Sequence, residues 1–121
     1  MTQAKRTSQR ITCDFAFSKF IKERDKVCQM ADDKCLGRLE AAHFIGRGRL
    51  SVRYHPDNAV ALCLFHHRQA DADPIGRDSW FADRLGEERF TALHMKSREA
   101  FDRDYDRVIR ELRELKRSLA Q

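Results

Sequence analysis

Apolar positions along the chain change period twice, from helical to alternating and back, and each change marks a new kind of element. In "DFAFSKFIKERD", Phe17, Phe20, Ile21 and Arg24 recur at helical spacing, which predicts a helix with Asp14 as its cap. The polar residues 1–11 before it read as a flexible, frayed N-terminus. Between Val27 and Leu64, Gly37, Gly46, Gly48 and Pro56 interrupt the pattern. They leave two short strand-like segments, "RLEAAHFI" and "NAVALCL", joined by a long loop. After Leu64 the pattern is helical through about Ala72, where "DADPIG" ends it. Asp78 then caps a short helix through Leu85 that Gly86 closes, and from Glu87 the chain reads helical nearly to its end. There Phe101, Tyr105, Val108, Ile109, Leu112, Leu115 and Leu119 make one apolar stripe, suited to packing on the core or to a homodimer seam. The expected class is α+β: a flexible stretch 1–11, a core 12–73 with its own N-terminal helix, and a helical extension 74–121.

Composition changes this picture in one respect. Charged residues make up 36% of 121 positions and aromatic residues only 9%, so the apolar material for a core is limited and a structural metal would supplement it. A formal charge of +5 favours a polyanionic partner. No apolar run approaches the roughly 20 residues of a membrane span, and "MTQAKRTSQR" lacks the apolar core of a signal peptide. The chain is therefore expected in the cytoplasm, where disulfides are disfavoured, and its four cysteines need another account.

"LCLFHH" supplies one. Cys63 and His66 stand two residues apart, about thirty residues after Cys28 and Cys35, which flank the polar loop "CQMADDKC". Two such pairs have the arithmetic of a structural zinc site, although the first gap is wider than usual. The bland alternative makes Cys35 and Cys63 small buried residues and His66 a satisfied core histidine. Cys13 has no partner nearby and reads as a buried thiol. Successive helix residues point about 100° apart, so His66 and His67 suit two different sites. His67 and Asp71 share one helix face and can hold one divalent cation between them. His43 lies on the first strand segment and can face them, while Asn58 is placed to fix the loop backbone through local hydrogen bonds.

A strand histidine, a post-loop asparagine and a helix histidine beside cysteine-held zinc resemble the HNH nuclease motif of the ββα-metal fold. The residues that carry this are "LEAAHFIGRG", "DNAVALCLFHH" and the flanking cysteines. Over residues 14–93 the blocks "FSKFIKERDKVC", "VRYHPDN" and "FADRLGEERFTAL" are similar, in order, to the NinG-type phage recombination nucleases. The resemblance implies a small zinc-stabilised ββα-metal core with additional helices. It makes His43 the general base, Asn58 the middle asparagine, and His67 with Asp71 the ligands of a catalytic Mg²⁺ or Mn²⁺. Cys28, Cys35, Cys63 and His66 become the structural zinc ligands. Two positions depart from the pattern: Ala42 stands where many HNH proteins have a metal ligand, and His66 where a fourth cysteine is common.

Hydrolysis of a phosphodiester needs an activated water, a base, and positive charge against the developing negative charge. Arg47, Arg49 and Arg53 in the loop are the expected phosphate holders, with Glu40 orienting one of them and His55 close enough to help. His94 reads as a surface residue. The expected activity is DNA cleavage, extended by the NinG-type resemblance to branched intermediates in a phage or prophage setting. The rivals are a zinc-stabilised DNA-binding module without catalysis and a helical interaction protein.

Overall fold

The computed structural model describes residues 2–120. In chain order it has α1 (Gln3–Asp25), β1 (Leu39–His43), β2 (Ala59–Cys63), α2 (Leu64–Ala72), α3 (Pro74–Ser97) and α4 (Tyr105–Leu119). A single 3₁₀ turn, Pro56–Asn58, leads into β2. This is the expected α+β order, and none of the helices among the described residues is long and apolar enough to cross a membrane.

Helix boundaries differ from the sequence reading at three places. α1 begins at Gln3, capped by the Thr2 side chain accepting from the Lys5 N–H, so residues 3–11 are helical rather than frayed. That stretch has no Gly or Pro and is rich in good helix formers, so nothing in it stops the helix. Asp14, expected as the cap, sits mid-helix with its carboxylate turned to Arg53. Asp73, not Asp78, caps α3 by accepting from the Gly76 N–H, with Pro74 in the first turn. Gly86, with φ 80° and ψ 161°, interrupts the helical backbone of α3 where the sequence places a helix end, and the helix resumes to Ser97. The helical stretch after Glu87 is broken between Ser97 and Tyr105, where Asp104 caps α4.

The two strands pair antiparallel with Leu39 opposite Cys63 and His43 opposite Ala59. Side chains alternate across this ribbon, so it has two apolar faces. One face carries Ala42, Phe44, Val60 and Leu62 against Phe81, Leu85 and Leu93 of α3. The other carries Ala41, Ala59 and Ala61 against Phe17, Phe20 and Ile21 of α1 and Tyr105, Val108 and Leu112 of α4. The C-terminal stripe packs within the chain against α1: Tyr105, Val108 and Leu112 are buried, Phe101, Ile109 and Leu115 are partly buried, and Leu119 is exposed. Small alanines on the second face let α1 approach closely. Cys13 is fully buried there, with Sγ 3.6 Å from the Tyr105 carbonyl, and burial pushes its thiol up to about 11.

Polar contacts fix how α1 meets the ribbon. Arg24 donates to the Pro56 and Ala59 carbonyls at 2.8 Å each, and Asp25 Oδ2 accepts from the Ala61 N–H at 2.8 Å. Asp25 is nearly buried, so these bonds form away from competing water. On the far side Gly37 takes φ +86° directly beneath α2, and a Cβ there would lie 2.7 Å from Leu64 Cβ. Gly37→Ala combines left-handed strain with that clash and should cost about 1–3 kcal/mol or more. It should lower the melting temperature measured by circular dichroism, whereas Gly48→Ala, where a Cβ meets nothing within 4 Å, should not.

Candidate metal centre and edge cleft

β2 passes directly into α2, and this junction builds the first site. Cys63 is both the last strand residue and the cap of α2, where its Sγ accepts from the His66 N–H at 3.5 Å. One turn into the helix, the His66 ring swings back over the same sulfur. Cys28 and Cys35 arrive from the loop after α1, which is tied down by Gln29 N–H to Ala61 O and by Phe65 N–H to Leu36 O. The His66 Nδ1 atom lies 3.6 Å from Cys28 Sγ, 3.6 Å from Cys35 Sγ and 3.1 Å from Cys63 Sγ. All four donor atoms fall within 4.8 Å of one another.

Metal–ligand lengths of about 2.3 Å to sulfur and 2.0 Å to nitrogen put tetrahedral donors about 3.5–3.8 Å apart. The cluster therefore has the dimensions of a tetrahedral site and could hold a structural metal such as zinc. The bland alternative fails on Cys35, which is exposed and so gains nothing as a buried apolar residue. It fails also on His66, which is 2% exposed with no hydrogen-bond partner for Nε2. That nitrogen is 3.0 Å from Asp32 Oδ1, close enough for charge attraction though out of line for a hydrogen bond. A carboxylate behind a ligating imidazole is the usual outer support of such a site. Burial pushes the Cys63 thiol up, but bonds from the His66 N–H and ring bring it down to about 6, towards the thiolate a metal needs.

The second site is a cleft of about 750 Å³ along the free edge of β1. His43, Glu40, His67, Asp71 and Arg47 line it, with α1 as the opposite wall. Because neighbouring strand residues face opposite ways, His43 packs on Phe17 of α1 while Glu40 turns to α2. The His43 Nε2–H donates to the Arg53 carbonyl at 2.9 Å, which leaves Nδ1 as the ring's acceptor. Burial, together with the Arg47 and Arg53 charges, lowers His43 below the ordinary imidazole value. Asn58 is fully buried. Its amide accepts from the Ile45 N–H at 2.7 Å and donates to the Ile45 and Val52 carbonyls at 3.0 Å each, spanning the loop from within. The local bonding expected of it is in fact cross-loop.

His67 lies on the α2 wall, a helix position away from His66, and the two rings serve different places. Its Nδ1–H donates to Glu40 Oε1 at 2.9 Å, and its Nε2 is 3.9 Å from Asp71 Oδ2. The His67 bond holds the Glu40 carboxyl below its usual range, so an ionised Glu40 fixes the ring and frees Nε2 towards Asp71. Glu40 was expected to orient a loop arginine. Its cationic neighbour is instead Arg38, at 3.4 Å. Strand pairing alone brings Glu40 to His67, and no local pattern in the sequence signals it.

The three loop arginines are not equivalent. Arg53 is nearly buried, with its guanidinium on both Asp14 oxygens at 2.8 Å and on the Arg47 carbonyl, so it braces the loop and is not available to phosphate. Arg47 and Arg49 are exposed, Arg47 reaching Asp14 at 3.1 Å from the cleft wall. Lys22, Arg38 and Arg77 also line the cleft, from elements far apart in sequence. Ala42 is buried among apolar residues on the α3 face and cannot ligate anything. His55 lines a separate groove beside α4, and its Nδ1 accepts from the Asp57 N–H. His94 is half-buried against the rings of Phe44 and Phe90 rather than lying on the surface.

No protein-family model matches this chain, and neither a curated protein nor a solved structure matches it significantly.

Two adjacent histidines facing two sites give a direct test. His66→Ala should lose about one bound metal equivalent per chain and most of its thermal stability, since such ions contribute about 10 kcal/mol or more of folding free energy. His67→Ala should keep both. Elemental analysis and calorimetry of the two variants decide it; a folded, metal-replete His66→Ala protein would remove the cluster from consideration.

Proposed function

We propose that this protein is an HNH-type endonuclease: it hydrolyses DNA phosphodiester bonds with a divalent cation and is stabilised by zinc on Cys28, Cys35, Cys63 and His66. The observation that carries the reading is the meeting of His43 and the His67–Asp71 pair in one cleft, at the strand edge, beside a metal-binding cluster. The basic charge of the chain and the exposed Arg47 and Arg49 support a polyanionic substrate. The NinG-type resemblance extends the proposal to branched recombination intermediates in a phage or prophage setting, with the protein acting in the host cytoplasm.

The residues divide the work as follows. A neutral His43 takes the proton of the attacking water on Nδ1, while its Nε2–H stays on the Arg53 carbonyl and keeps the ring aimed. His67 and Asp71 fit a cation: a carboxylate on Nδ1 holds the ring so that Nε2 and Asp71 converge. Bound there, Mg²⁺ or Mn²⁺ would supply charge against the phosphate and the leaving oxygen. Glu40 keeps the His67 tautomer and adds negative charge to the site, offsetting the ligand missing at Ala42. Arg47 and Arg49 hold the flanking phosphates. Asn58 touches no substrate; it is a positioning residue that fixes the loop carrying the Arg53 carbonyl.

The buried Ala42 favours one second reading, a zinc-stabilised DNA-binding module without catalysis. Plasmid nicking with Mg²⁺ or Mn²⁺ separates the two, because a binding module would bind with salt sensitivity and cut nothing. For the nuclease, His43→Ala should lower the rate about 10²–10⁴-fold with the fold intact. Wild-type rate should rise with pH as His43 loses its proton, with a midpoint below the ordinary value of 6.5, and level off above it. A pH–rate profile at saturating Mg²⁺ measures this. Glu40→Gln should raise the Mg²⁺ concentration for half-maximal rate about 10–100-fold, which a cation titration reads.

A further inference from the structure

The α1 wall of the cleft has no role in the chemistry above, yet it exposes two large apolar side chains. Ile11, Phe15, Ser18 and Lys22 recur at helical spacing on one face of α1 and all line the cleft. Phe15 is 75% exposed and Ile11 52% exposed, although the opposite face of the same helix buries Phe17, Phe20 and Ile21. An exposed phenylalanine beside an exposed isoleucine is therefore not a leftover of core packing. The surrounding walls carry Lys22, Arg38, Arg47 and Arg77 together with Asp14, Glu40 and Asp71, and Arg47 is paired with Asp14. An apolar ring set among cations, in a cleft, matches the two surfaces of a nucleotide: a π-face and a phosphate.

We infer that Phe15, beside Ile11, stacks on an unpaired base of the substrate, so that the cleft prefers a single-stranded segment of DNA over continuous duplex. Base pairs in continuous duplex cover their faces by stacking on each other, and only an unstacked base offers a face to a side chain. A second copy of this chain is a poor occupant. Two apolar side chains fall far short of the roughly 800 Å² per partner of a stable interface, and the cationic wall would meet another chain of charge +5. The inference rests on the reading of the cleft as a DNA site, and it names which DNA.

The test uses the full chain with zinc retained and Ca²⁺ in place of Mg²⁺. Binding of a fluorescein-labelled single-stranded oligodeoxynucleotide and of the matching duplex is followed by anisotropy. Phe15→Ala should weaken single-strand binding about tenfold, in line with the stacking cost per base, and lower the preference for single strand over duplex by the same factor. Phe15→Trp should retain the affinity, while Phe15→Leu, which keeps apolar bulk without the ring, should lose most of it. A 2-aminopurine placed in the single strand should be quenched by the wild type and not by Phe15→Ala. Equal losses on single strand and duplex, no loss on either, or a wild-type dimer in sedimentation that Phe15→Ala dissolves would each overturn the inference. Cation-dependent nicking of plasmid together with a neutral Phe15→Ala would sink this inference alone. Phe15-dependent single-strand binding by a protein that cuts no DNA would sink the nuclease reading alone.

Discussion

The contact between Cys63 Sγ and the His66 imidazole, across the junction of β2 and α2, governs the geometry of everything around it. Cys63 ends the strand, caps the helix and offers a metal donor in one residue, so the sulfur sets the angle at which α2 leaves the ribbon. That angle places His66 over the cysteine cluster and, one position further on, turns His67 to the strand edge. Cys28 and Cys35 then fasten the long loop after α1 to the same point. In a chain with few aromatics and a third of its residues charged, a metal held on these four residues would add a cross-link to limited apolar burial.

A second brace acts on the other side of β1. The loop between the strands has no regular sheet or helix ladder to hold it, yet it carries the carbonyl on which His43 rests. Asn58 satisfies its backbone from inside, and the Arg53–Asp14 pair ties it to α1. Asp14 is held below its ordinary value: burial opposes this, but the Arg53 bond and charge outweigh it. The pair contributes stability above the ordinary carboxylate range that is lost as Asp14 is protonated in acid. An arginine expected to reach outward to phosphate is thus part of the scaffold, and its carbonyl holds the His43 ring.

These two braces share no residue, so they can fail separately. Loss of the cluster would release α2 and with it His67 and Asp71. Loss of the Asn58 and Arg53 contacts would leave those residues in place and free the His43 ring. Both losses would cost stability, but only the first would displace α2.

Local pattern in the sequence determined the element order, the two strands, the start of α2 at Leu64 and the four residues of the cluster, because each rests on spacing along the chain. The α1 start and the break over residues 98–104 were not legible, whereas Gly86 marked the interruption of α3. Helix formers without Gly or Pro carry no stop signal. Tertiary structure alone decided the partners: Glu40 with His67, Arg53 with Asp14, Lys22 and Arg77 beside the cleft, and the C-terminal stripe against α1. Each of these joins residues remote in sequence, and their meeting depends on strand register and on the angle between elements. No composition or period encodes those two quantities locally.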